Sequence, residues 1–195
     1  MTMEKQVNKM CRNAYFNIRN ISKIRKSLDK ETCKTAVNAL VTPHLDYGNG
    51  LLYGTSHRLL YKLQVAQNSA VRLIEKLRKH DSVSQHRKQL HWLPIPARIQ
   101  FKLMLTTWKA INGQAPLYIQ NMIQPKSERN CNLRSNNKIL LNEPPSCNKN
   151  KYEDRAFSHA APKLWNQLPE IVKASKTLEG FKRNLKTYLF KSFYR

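Results

Sequence analysis

Apolar positions at the start of the chain recur at helical rather than strand intervals. Val7, Met10, Cys11, Ala14, Ile18, Ile21 and Arg25 fall three or four residues apart, which predicts one side of a helix over 4–26. Lys9, Arg12, Arg19, Lys23 and Lys26 fill the gaps, so the opposite face of that helix is cationic. Asp29 then precedes Cys33, Ala36, Val37, Leu40 and Val41, an i, i+3, i+4, i+7, i+8 series, and suits the N-cap of a second helix. Pro43 ends that helix or bends the chain, and Gly48, Gly50 and Gly54 punctuate a turn-rich stretch.

Ser56 suits the N-cap of a longer helix reaching about Arg78, with Leu60, Leu63, Ala66, Ala70, Leu73, Ile74 and Leu77 inward. A polar break over 79–84 leads into a short helix over 85–91, closed by Trp92-Leu93-Pro94. Pro96 fits the first turn of a helix through Ile111, with Ile99, Leu103, Met104, Thr107 and Ile111 inward and Gly113 at its C-cap. Residues 117–123 add further helical turns.

Between 124 and 151 the periodicity lapses. Asparagine, lysine, serine and Pro144-Pro145 dominate, and only Ile139-Leu140-Leu141 offers a short strand. This reads as a polar, partly disordered linker. It sets a division into a helical region over 1–123, a basic Asn/Lys-rich linker over 124–155 and a C-terminal helical unit over 156–195. In that last unit Phe157, Ala160, Leu164 and Trp165 predict one short helix. Leu178, Phe181, Leu185, Tyr188, Leu189 and Phe193 line another, with Lys182, Arg183, Lys186 and Lys191 outside. Strand alternation is nearly absent, so the expected fold class is all-α, a multi-helix bundle with a polar linker and a small C-terminal helical unit.

Charge changes this picture more than composition does. Lysine plus arginine number 35 against 12 aspartate plus glutamate in 195 residues, a formal net charge of +23. A hydrophobic fraction of 41% is too high for a disordered basic tail, so a core forms under strong positive self-repulsion. A charge of this size points to a polyanionic partner, nucleic acid foremost.

The same sequence excludes several classes. With five glycines and no GxGxxG or GxxxxGK[ST] string, no glycine-rich phosphate cradle is built. No apolar run approaches the roughly 20 residues that span a bilayer, so no membrane partner is expected. Residues 1–12 carry no apolar signal-peptide core. Cys11, Cys33, Cys131 and Cys147 form no CxxC pair and read as free intracellular thiols.

Catalytic and metal chemistry find little footing. A zinc site from Cys131, Cys147 and His159 lacks the two close ligand pairs that structural zinc needs, and incidental thiols are the better reading. The acidic residues are scattered, and no strand brings carboxylates together for two-metal phosphoryl chemistry. Glu153-Asp154 suits the positive end of a helix starting near Ala156. No cofactor, metal or catalytic residue is expected.

What remains is a basic surface interleaved with aromatics. Tyr15, Phe16, Trp92, Trp108, Trp165 and the 190–194 cluster can stack on bases, although core packing is the default for most of them. The set expected to contact phosphates comprises Arg12, Arg19, Lys23, Arg25, Lys26, Arg72, Arg98, Lys182, Arg183 and Lys186. No helix-turn-helix or RNP signature appears, so binding is expected to use the nucleic-acid backbone without sequence readout.

Several strings carry a family resemblance. They are Tyr15-Phe16-Asn17-Ile18-Arg19-Asn20-Ile21, Leu45-Asp46-Tyr47-Gly48-Asn49 with Leu52-Tyr53-Gly54, Leu63-Gln64 with Gln67-Asn68-Ser69-Ala70, and Leu90-His91-Trp92-Leu93-Pro94 with Arg98-Ile99. Trp108-Lys109-Ala110, Ala115-Pro116-Leu117-Tyr118-Ile119, Leu133-Arg134-Ser135, Arg155-Ala156-Phe157-Ser158, Ala161-Pro162-Lys163-Leu164-Trp165-Asn166 and Phe181-Lys182 follow in order. Together they resemble the region after the polymerase core of non-LTR (LINE-type) retrotransposon reverse transcriptases, in the Jockey-like branch.

The resemblance implies a thumb-side and post-thumb helical segment that helps hold RNA or DNA, with the missing polymerase core as a second partner and a nuclear location. The family's palm aspartates have no counterpart here, so the expected role is non-catalytic. The alternative is a basic helical protein–protein module. The first forty-odd residues also resemble a short N-terminal segment of AlkB-type tRNA-modifying dioxygenases. That activity needs a His-x-Asp…His iron triad on a β-barrel, and no His-x-Asp string occurs.

Overall fold

The computed structural model describes residues 3–126, 140–145 and 155–194. Among them the secondary structure is helical, without a strand, and the all-α class stands. The elements are α1 (Glu4–Ile24), α2 (Lys30–Leu40), α3 (Thr42–Asp46), α4 (His57–Glu75), α5 (Ser84–Gln89), α6 (Ile95–Ile111), α7 (Leu117–Gln120), α8 (Phe157–Asn166), α9 (Glu170–Lys173) and α10 (Leu178–Phe193). A 3-10 turn at Arg25–Ser27 follows α1 and another at Asn49–Leu52 follows α3.

These residues group into two compact units, Met1–Arg98 with Phe193–Arg195, and Ile99–Ser192. The limits differ from those expected at 123 and 156. Composition marks the polar stretch, whereas packing joins most of α6 to the C-terminal helices.

In the first unit α1 packs against α2, α3 and α4. Its buried stripe, Val7, Met10, Ala14 and Ile21, is the one its spacing predicts. Asp29 caps α2 as expected, its carboxylate accepting from the Glu31 amide at 3.0 Å and the Thr32 amide at 3.2 Å. A hydrogen bond from the Thr32 side chain, and after it these two amides, hold the Asp29 carboxyl below its usual range. Pro43 does more than end α2. It sits in the first turn of α3, where its missing N–H costs nothing.

The long helix α4 departs from expectation at three points. Ser56 occupies the N-cap but its side chain makes no capping bond. The helix ends at Glu75 rather than Arg78, because Lys76 turns left-handed at φ 54° and the Leu77 amide donates back to the Arg72 carbonyl at 3.1 Å. Its buried stripe also includes Leu59, Gln67 and Val71, while Leu60, Leu73 and Leu77 are half-buried.

Polar side chains of α4 hold the stretch that joins α5 to α6. The Gln67 amide donates to the Leu93 carbonyl at 2.9 Å, and the Ile95 amide donates to Gln64 Oε1 at 2.9 Å. The Tyr194 hydroxyl donates to the Trp92 carbonyl at 2.6 Å and accepts from Arg87 Nε at 2.7 Å. A buried Gln67 with its carbonyl partner satisfied costs little, and it fixes the path of the chain more sharply than an apolar residue would.

The second unit is built on aromatics. Trp108 of α6 stacks on Phe181 of α10 with centroids 5.6 Å apart, and Trp165 of α8 meets the same ring at 6.0 Å. Gly113 closes α6 at φ 68°, a left-handed position that glycine takes without strain. Part of the expected linker is structural. Leu141 is buried, its amide donates to Asn166 Oδ1 at 2.9 Å, and Asn166 Nδ2 donates to its carbonyl at 3.0 Å. The expected strand reduces to an isolated bridge between Pro125 and Leu141; Ile139 lies outside the described residues, as do Cys131, Cys147, Glu153 and Asp154.

Candidate nucleic-acid interface

The residues expected to touch phosphates separate into free and engaged groups. Arg12, Arg19, Lys23 and Lys26 are exposed, and no side-chain partner meets any of them among the described residues. Arg183 and Lys186 on α10 are likewise exposed and unpaired there. Lys182 is held by Glu179 at 2.6 Å. Arg72 is half-buried, with Nη2 3.5 Å from the Asp81 carbonyl.

Two arginines leave the set. Arg25 is 8% exposed, in keeping with its place in the interior register of α1. Its guanidinium donates to the Leu73 carbonyl at 2.8 Å, the Ile74 carbonyl at 2.7 Å and the Leu28 carbonyl at 2.6 Å. The last four carbonyls of a helix lack intrahelical donors and carry the negative end of its dipole. Arg25 therefore caps α4 from outside, with three of its five N–H donors spent on carbonyls and its side chain buried away from any phosphate. Arg98 forms a two-pronged pair with Asp46, with Nε donating to Oδ1 at 2.7 Å and Nη2 meeting Oδ2. A forked guanidinium–carboxylate pair is near-neutral from a distance and geometrically committed.

The aromatic candidates divide in the same way. Trp108 and Trp165 are core residues, and Tyr194 is tied to Trp92 and Arg87. Tyr15 and Phe16 stand on the surface.

The free cations of α1 form one stripe. Lys5, Lys9, Arg12, Phe16, Arg19 and Lys23 recur at i, i+4, i+7, i+11, i+14 and i+18, within about 80° of one another on the helix. Lys5 and Lys9 carry no side-chain partner among the described residues either. They belong to this face although the sequence-derived set omits them; the same spacing that finds the buried side, read half a turn round, would have found them. The stripe runs about 27 Å along the axis at 1.5 Å per residue.

No acid interrupts it. From Lys5 to Leu28 the chain contains no aspartate or glutamate. Glu4 lies 3.6 Å from Lys62, which itself donates to Asn8 at 3.1 Å. Elsewhere the described acids have partners of their own: Glu31 with Lys34, Glu75 with Lys30, Glu170 with Lys173, Asp81 with the Arg78 amide, Glu143 with Asn166. Uncompensated like charges on one helix face repel one another, and an external polyanion relieves that repulsion.

Among the described residues no three of His, Cys, Asp and Glu converge as a metal site, and no helix is long and apolar enough to cross a membrane. Comparison with protein-family models, with curated proteins and with solved structures finds no match.

Proposed function

We propose that this chain is a non-catalytic nucleic-acid-binding segment that grips the phosphate backbone with the outer face of α1. The motif resemblance supports its descent from the region that follows the palm of a non-LTR reverse transcriptase. The observation that carries the binding role is the stripe of Lys5, Lys9, Arg12, Arg19 and Lys23, without a side-chain partner among the described residues and with no acid between Lys5 and Leu28. Lysines and arginines that neutralise phosphates release condensed counterions, and affinity then falls steeply with salt.

A salt titration tests the role. Five phosphate contacts give a log–log slope of about −3.5 on a single strand, so affinity drops about 100-fold between 50 and 200 mM salt. Replacing Arg12 and Arg19 by glutamine shallows that slope by about 1.4. Negligible binding at low salt, or a slope unmoved by the double substitution, overturns the assignment. Primer extension on an RNA template with magnesium and nucleotides yields no product; a product that survives repurification overturns the non-catalytic reading.

A further inference from the structure

The stripe on α1 is not made of cations alone. Phe16 stands at its centre, 64% exposed, four residues after Arg12 and three before Arg19. That spacing puts a guanidinium-bearing position about one helical turn to either side of the ring. Tyr15 stands exposed beside it. The interior of the same helix is filled by Val7, Met10, Ala14 and Ile21, so Phe16 has no part in that core.

A phenyl ring left in water forgoes the stabilisation that burying its apolar surface provides. The charge around this ring defines the surface that can cover it. A lipid or protein patch apolar enough to bury Phe16 must also bring anions to Arg12 and Arg19 on both sides. An unpaired nucleotide strand carries both groups in one repeat, a flat base and a phosphate. Duplex offers phosphates to the same cations, but its base faces are already stacked on one another, and an aromatic ring reaches them only by unstacking a base step, at a cost of about a few kcal/mol.

We propose that the α1 stripe prefers single-stranded nucleic acid over duplex, with Phe16 as a stacking platform between phosphate-binding Arg12 and Arg19. This rests on the nucleic-acid reading above and adds the class of ligand. Stacking needs only a base face, so the preference is for strandedness and not for sequence.

Fluorescence anisotropy with a labelled mixed-sequence oligonucleotide, single-stranded and then annealed to its complement, tests it on the full chain. Phe16→Ala weakens single-strand binding by about 5- to 150-fold, the range for losing one stacked base. It leaves duplex affinity within about two-fold and both salt slopes unchanged, because no phosphate contact is lost. Phe16→Trp restores single-strand binding. The ring is exposed, so the unfolding midpoint of Phe16→Ala stays at the wild-type value, which separates lost stacking from lost fold. Equal weakening of both ligands, or of neither, overturns the platform while the nucleic-acid role stands. Failure of the wild-type chain to bind either ligand overturns both. Tighter binding of poly-glutamate than of the single strand at matched salt overturns the proposal in favour of an acidic protein partner.

Discussion

Arg25→Met tests whether a cation in the basic first segment serves the fold or the ligand. The substitution keeps an unbranched apolar stem and removes the guanidinium with the three hydrogen bonds it makes. Two of the lost bonds end on the Leu73 and Ile74 carbonyls, at 2.8 and 2.7 Å, and the third on Leu28 at 2.6 Å. Net hydrogen bonds to charged groups are worth about 1.5–3 kcal/mol, and an acceptor left buried and unpaired costs about 1–3 kcal/mol. Against that, methionine spares the desolvation of a guanidinium, which amounts to several kcal/mol. The contributions are not additive, and a net loss of about 3 kcal/mol is the expected balance.

For a domain whose total stability is about 5–15 kcal/mol, a loss of that size moves the urea midpoint down by about 1–2 M. Arg25→Lys falls in between, since an ammonium keeps the charge at the end of α4 but cannot reach three carbonyls in a fork. Far-UV circular dichroism during urea titration reads the midpoint, and the nucleic-acid salt slope is measured on the same variants. The slope stays at the wild-type value for both. A midpoint within about 0.3 M of wild type, together with a slope shallower by the 0.7 of one phosphate contact, refutes the capping role and makes Arg25 a ligand residue.

Tyr194→Phe removes the hydroxyl that bridges Trp92 and Arg87, at a cost of about 1 kcal/mol in denaturant titration. Burial raises the Tyr194 phenol above its ordinary value of 10.0, with Arg87 opposing. The folded state thus favours the protonated form, and the advantage over Tyr194→Phe is full below pH 10. It shrinks as the pH rises through the folded-state value, so a gap between the two midpoints that widens at alkaline pH refutes the assignment. Cys33 is fully buried, and burial pushes its thiol up from 9.0. Its labelling by a thiol reagent, followed by mass spectrometry, therefore tracks unfolding in urea; rapid labelling of the native chain at that residue contradicts its placement.

Local periodicity was sufficient for the longer helices, though not for the short α3 and α9, and for part of the candidate interface. The spacing of Val7, Met10, Ala14 and Ile21 fixes which side of α1 is inward, and therefore which side carries Arg12, Arg19 and Lys23. Asp29 as a cap and Gly113 as a terminator are decided within a few residues. Long-range partners lie beyond that reach. Arg25 shares the register of Ile21, and its burial is legible; that its charge is answered by carbonyls 48 and 49 positions away is not. Asp46 withdraws Arg98 across 52 positions. Asn166 orders Leu141 across 25, inside a stretch whose composition signals a linker. Trp108 and Phe181 meet across the whole of that stretch, so packing divides the chain where composition does not.

The same long-range pairings sharpen what the net charge means. A surplus of +23 is a property of the whole chain and names no surface. The acids among the described residues are spent on particular neighbours, as Asp46 is on Arg98 and Glu75 on Lys30, and each such pair removes one cation from the field a ligand meets. Subtracting them leaves cations over much of the surface, Arg58, Lys79, Lys102, Arg183 and Lys186 among them, but the row from Lys5 to Lys23 gathers five on one face of α1. Five cations along about 27 Å of one helix face, at 1.5 Å per residue, raise the local potential far more than the same charges dispersed over the surface. Under the proposed binding role a polyanion is drawn to the face on which Phe16 stands, and there the proposed stacking of a base would discriminate one strand from two.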